Sequence, residues 1–139
     1  YPVFLRAREP WLNAACMNSV KEMAIAVDLY TNDYDNHLPP SSRWCDLVYE
    51  YVKNKDAYQC PMARELKCGY AMNSNLKSTP VDYRAAAEKV MLFESDRGWN
   101  AHGGAEAMLS KPRHSIYSVA FSDTHMSPVS EERKKQLQW

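Results

Sequence analysis

Two histidines and a carboxylate fall close together near the end of this 139-residue chain: His114, Asp123 and His125. Two imidazoles and one carboxylate can hold zinc or iron, or serve acid–base chemistry. Asp123-Thr124 also reads as the corner of a tight turn, where an aspartate accepts hydrogen bonds from turn amides. That structural use of Asp123 and His114 is the preferred reading. A small metal-dependent enzyme using His114, Asp123 and His125 is the alternative. Glu94, Asp96 and Asp123 offer oxygen ligands of the kind calcium takes, yet no alternating acidic ligand loop surrounds them. They read as solvated loop carboxylates. No Gly-x-Ser-x-Gly elbow occurs. Gly103-Gly104 is not followed by the Lys-Ser/Thr pair of a phosphate loop. Cys45 beside Trp44 and Cys60 beside Pro61 show no context that would activate a thiolate. No catalytic residue, cofactor or metal is therefore expected.

The four cysteines are Cys16, Cys45, Cys60 and Cys68. None forms Cys-x-x-Cys, which disfavours a zinc ribbon or a thioredoxin-like motif, and none forms the Cys-x-x-Cys-His of covalent haem. Buried reduced thiols and disulfides both remain open, and four cysteines allow three pairings.

The elements that must position these residues are legible in the spacing. Cys16, Val20, Met23, Val27, Tyr30 and Tyr34 recur at intervals of four and three, the apolar stripe of an amphipathic helix. Lys21, Glu22 and Asp28 fall off that stripe and should face solvent. The helix should span residues 11–34, with Pro10 in or just before its first turn and Pro39-Pro40 preventing resumption. Ser41-Ser42 looks like an N-cap for a short helix over 43–53, which carries Trp44, Leu47, Val48 and Tyr51. Gly69–Asn73 reads as a first strand, Lys77–Ala87 as a polar connection with a helical turn at Tyr83–Ala87, and Lys89–Glu94 as a central strand. Ser95–Pro112 lacks apolar periodicity and reads as an exposed, mobile loop. Ile116–Ser122 and His125–Val129 should pair around Asp123-Thr124, with Pro128 marking an edge. Ser130 can cap a final helix over 130–139. The fold class is α+β in one domain, 1–139, with the sheet within 69–129.

Lys plus Arg and Asp plus Glu are both 17, so the formal net charge is zero and no general basic field is available for nucleic acid. No run approaches the length of a membrane-spanning helix. Nine tyrosines and four tryptophans stand out instead, a composition that suits core, rim or protein contact surfaces.

The order of motifs carries a resemblance. Cys16-Met-Asn-Ser-Val-Lys-Glu-Met and Tyr34-Asp-Asn-His-Leu-Pro-Pro40 come first. Trp44, Tyr51-Val-Lys-Asn, Cys60-Pro61 and Gly69-Tyr-Ala-Met-Asn73 follow, then Arg113-His114 and Val119-Ala-Phe-Ser-Asp-Thr-His125. Over about residues 5–129 this order resembles bacterial type II secretion pseudopilins and their type IV pilin-like relatives, in the subfamily ending in a His…Asp-Gly signature. Thr124 stands where that signature has glycine, and the His-to-Asp spacing is one residue short of its commonest form.

The resemblance implies a pilin-like fold, with the long helix laid across a small antiparallel sheet. It implies a non-catalytic extracytoplasmic protein, in the periplasm or an equivalent compartment, membrane-anchored before processing or trimming. Tyr1–Leu5 looks like the stub of the family's apolar helix, which would be the sole link to a membrane. Arg6-Ala-Arg8 would be a membrane-proximal edge or an ordinary helix start. The expected role is a structural subunit of a secretion or pilus-like assembly. The alternative is a soluble assembly factor or accessory subunit docked on a larger complex. Export favours disulfides, with Cys60–Cys68 closing a short loop and Cys16–Cys45 tying the two helices. Trp99, in the expected mobile loop, and Trp139, at the end, are the expected partner anchors.

Overall fold

In the computed structural model the described residues are 3–76, 89–113 and 116–139, with side-chain placement given from Trp11 onward apart from Leu12. His114 and the whole 77–87 connection, including the turn expected at Tyr83–Ala87, lie outside the described residues.

The stripe of apolar residues at helical spacing forms α1, Val3–Asp33. The helix begins earlier than the sequence suggests and runs through Pro10. Proline costs an interior helix one hydrogen bond and a clash with the preceding turn, so Pro10 marks a weak point within α1, not its start. Cys16, Val20, Met23, Val27 and Tyr30 are all buried, as the stripe requires, and Ala24 and Ala26 widen it. Tyr34 departs from the stripe: it is exposed and stacks on Tyr30 with ring centroids 4.2 Å apart. Lys21 and Glu22 are exposed.

After the turn at Asp35 and Asn36, both with positive φ, Pro39-Pro40 leads into a 3-10 turn, Ser41–Arg43. The helix α2, Trp44–Val48, follows and continues as a 3-10 turn over Tyr49–Tyr51. No side chain caps α2, and Arg43 rather than a serine stands before it. What fixes α2 is the fully buried Trp44, whose indole Nε1 donates to Ala101 O at 2.8 Å.

The sheet has five strands in the order β3-β1-β2-β4-β5. They are β1 Tyr70–Asn73, β2 Val90–Glu94, β3 His102–Gly103, β4 Tyr117–Phe121 and β5 Met126–Val129. All neighbours are antiparallel except β3, which runs parallel to β1. Pro128 sits in the edge strand β5, where a missing N–H costs no ladder bond on the open side. The molecule is thus mixed α and β, with an N-terminal helix on a five-stranded sheet.

Every residue of β1, β2 and β4 is buried. A strand covered on both faces reads as a continuous apolar run, and Val90-Met-Leu-Phe93 is one. The α1 side of the sheet holds Val20, Met23 and Val27 against Met72, Met91, Leu92 and Ala120. The opposite face holds Ala71, Val90, Phe93, Val119 and Phe121. That second face is covered by the segment expected to be an exposed loop. Ala101, Ala107 and Met108 are buried there, and residues 95–112 carry β3 and a 3-10 turn, Ala105–Ala107. The expectation failed because small residues cover the sheet here, and glycine and alanine carry no hydropathy period.

The final helix is one turn, α3 Glu131–Lys134, capped as expected by Ser130 Oγ, which accepts from Arg133 N at 3.2 Å. It does not run to 139. The chain leaves it so that Gln138 O accepts from Val90 N at 2.9 Å and Trp139 meets Phe93 edge-on at 4.9 Å.

Candidate functional site: paired thiols around a buried glutamate

β2 ends in Glu94, a fully buried carboxylate. A charge there needs partners, since an unpaired buried ion is costly. Its Oε2 accepts from Ser118 N at 2.8 Å, and the Arg113 guanidinium lies 3.8 Å from Oε1. Arg113 is itself clamped, donating to Gly69 O at 3.0 Å and Ser95 O at 2.6 Å. The Cys16 thiol of α1 donates to Glu94 Oε1 at 3.1 Å, and Cys60 Sγ lies 4.0 Å from the same oxygen. The ligand atoms of Cys16, Cys60 and Glu94 all lie within 4.8 Å of one another. Tyr70 closes the cluster, its hydroxyl 3.2 Å from Cys16 Sγ.

Cys45 and Cys68 form a second buried thiol pair. Each thiol shifts the titration of the other. Cys68 Sγ also donates to Tyr70 O at 3.3 Å, and Asn100 N donates to Cys45 Sγ at 3.2 Å. All four thiols are free and buried. The pairing expected from the sequence is therefore corrected: Cys60 turns to Cys16 rather than Cys68, and Cys68 turns to Cys45. The short Cys60–Cys68 loop folds so that these two side chains leave in different directions. The Cys16 thiol is pushed far up by its hydrogen bond with Cys60, by burial and by Glu94. Burial, then the neighbouring Cys68 thiol, pushes Cys45 up, while Cys45 pulls Cys68 down. Burial and the neighbouring thiols likewise hold the Tyr70 phenol well above its usual range. No thiolate nucleophile facing solvent results.

The other expected site residues are placed as follows. Asp123 has the turn role read for it: its Oδ1 accepts from His125 N at 3.0 Å and from the His125 ring. The His125 ring stacks on Phe121 at 4.5 Å. Thr124 adopts φ of +73°, the left-handed conformation that glycine supplies in the resembling signature. Among the described residues the one group of three or more placed to share a metal is Cys16, Cys60 and Glu94; Glu94, Asp96 and Asp123 do not gather, and His114, the third member of the His114, Asp123 and His125 set, lies outside the described residues.

Trp99 is half-buried. Its ring centroid is 4.6 Å from that of Tyr58, and its Nε1 donates to Asp46 Oδ1 at 2.8 Å. Trp139 is also half-buried, against Phe93. Both tryptophans pack in part on their own chain and keep a partly exposed face. Glu94, read from the sequence as a solvated loop carboxylate, is wholly buried, and its pairing with Arg113 is what sequence reading missed. A charged residue directly ending a doubly buried strand was the available signal. No known protein family, curated protein or solved structure significantly matches the chain.

Proposed function

We propose that this chain is the soluble domain of a pseudopilin-like extracytoplasmic protein, a non-catalytic subunit that assembles with further copies of itself through α1. The observation that carries this reading is the mismatch between helix and sheet. α1 has 31 residues, about 46 Å at 1.5 Å per residue. The longest strands have five residues, about 17 Å. Among the α1 side chains described, burial starts at Cys16, and none of Trp11, Asn13, Ala14 or Ala15 is buried. Along the outward side run Trp11, Ile25 and Leu29, exposed by 61, 46 and 41 %. At 3.6 residues per turn these three fall within one sector of about 40°. Single exposed apolar side chains are ordinary, whereas a row along a long helix suits packing against a like helix. No helix among the described residues is long and apolar enough to cross a membrane.

The motif order supports a pilin-like version of the fold, and the shielded thiols favour a structural over a catalytic role. The test is the double variant Ile25→Glu with Leu29→Glu, expressed from the natural gene. Its melting temperature should stay within a few degrees of wild type while its sedimentable, self-associated fraction falls at least tenfold. Unchanged self-association would overturn the reading. A stable one-to-one complex with a different protein would instead establish an accessory subunit.

A further inference from the structure

The four cysteines sort into two buried pairs, and neither pair is close in sequence. We infer that the functional protein carries two cystines, Cys16–Cys60 and Cys45–Cys68, which lock the irregular segment between α2 and β1 onto the helices.

The geometry makes the case. Cys16 Sγ and Cys60 Sγ lie within 4.8 Å of each other, so a modest rotamer change brings them to bonding distance. Tyr58 holds Cys45 and Cys68 side by side, donating to Cys45 O and accepting from the N of Gly69, the residue after Cys68. No thiol is left over. The chain between the pairs has the greatest need of a staple. Residues 52–69 hold one 3-10 turn, Lys55–Tyr58, and no strand. Their polar anchoring to the rest of the fold includes Gly69 N to Tyr58 O at 2.8 Å and Tyr58 Oη to Cys45 O at 2.9 Å. Cys60 and Cys68 sit at the two ends of the tight loop in this segment, and each faces a helix: Cys16 on α1 and Cys45 on α2.

A metal held by Cys16, Cys60 and Glu94 is the competing use of the first pair. The Arg113 guanidinium 3.8 Å from the same Glu94 oxygen opposes a cation there. Among the described residues no carboxylate or imidazole joins the second pair as a third ligand; its thiols meet Tyr70 O and Asn100 N. Two disulfides account for both pairs with one chemistry. Glu94 loses the thiol proton of Cys16 but keeps Ser118 N and Arg113.

The oxidant is a disulfide, on a thiol oxidoreductase or a small molecule. One cysteine thiolate attacks a donor sulfur, breaking the donor S–S bond and releasing one donor thiol. The second cysteine attacks the resulting mixed disulfide and releases the other. Each bridge takes two electrons and two protons from the protein, and the donor leaves as two thiols. Since all four sulfurs are buried in the folded chain, exchange takes place before the core closes.

The experiment uses protein made in an oxidising compartment, denatured in N-ethylmaleimide without reductant, digested with trypsin and mapped by mass spectrometry. Trypsin places each cysteine on its own peptide, 9–21, 44–53, 56–64 and 68–77. The expected result is 9–21 linked to 56–64 and 44–53 linked to 68–77, with intact mass four hydrogens below the reduced chain. Cys16→Ser should leave Cys60 alkylated and the 44–53 to 68–77 link intact. Either other pairing, or four alkylated cysteines, would overturn the inference. So would zinc bound to reduced Cys16 and Cys60 in native mass spectra and removed by chelator.

Discussion

Thr124 carries a local conflict. A β-branched residue at φ of +73° is strained, and such conformations cost about 1–3 kcal/mol. The turn holds it because Thr124 N donates to Phe121 O at 2.8 Å and Phe121 N to His125 O at 2.9 Å, fixing the β4–β5 hairpin. Thr124→Gly should therefore stabilise the fold by about 1 kcal/mol, the strain relief being partly offset by the greater unfolded-state freedom of glycine. A rise in the urea midpoint with an unchanged slope is the expected reading; a fall would show that the turn is not strained at this position. Met23 makes the opposite case. It is wholly buried between α1 and the sheet, so Met23→Ala should cost about 2–5 kcal/mol as a cavity. A loss below about 0.5 kcal/mol would mean that this face of α1 does not pack on the sheet.

At the scale of elements, the segment 95–112 joins α2 to the sheet through Asp46. Its carboxylate accepts from Asn100 Nδ2 at 2.6 Å and Trp99 Nε1 at 2.8 Å. These bonds, that of Asn100 foremost, hold Asp46 below the usual carboxylate range. A folded-state pKa below the unfolded one adds stability that is complete above the unfolded value and fades as pH falls through the folded value. Acidification below about pH 4 should therefore loosen Trp99, seen as a tryptophan fluorescence step that Asp46→Ala abolishes. A step that persists in the variant would assign the titration elsewhere. Trp99→Ala should also lower the melting temperature, since the ring packs on Tyr58.

This segment also shows where reading the sequence stops. α1, α2 and strands β1, β2, β4 and β5 were legible because their apolar residues repeat at 3.6 or run unbroken between charges. The cover over the second sheet face was not. It consists of Ala101, Gly103, Gly104, Ala107 and Met108, whose burial follows from tertiary fit and leaves no periodic trace. Of the candidate site, the turn role of Asp123 was legible from local chemistry. The cysteine pairing was not, because it depends on which sulfurs the folded chain brings face to face across 44 and 23 positions of sequence.

At the scale of the whole molecule, a helix on one face and a loop-and-tail layer on the other enclose the sheet. With the two proposed bridges in place, chain-entropy arguments assign about 4 kcal/mol to Cys16–Cys60 and about 3 kcal/mol to Cys45–Cys68, the longer loop gaining more. Reduction should thus lower the denaturation midpoint more in Cys45→Ser/Cys68→Ser protein, which keeps the longer bridge, than in Cys16→Ser/Cys60→Ser protein. The reverse order would contradict the loop assignment.

The central claim is that α1 packs against α1 of another copy. The most direct measurement is photo-cross-linking in cells of the native source, with a benzophenone amino acid in place of Trp11 or Leu29. The account predicts a ladder of self-adducts from both positions, and none from a control benzophenone at Glu132 on the far side of the sheet. Adducts to a single unrelated protein, or no adducts from either α1 position, would contradict it.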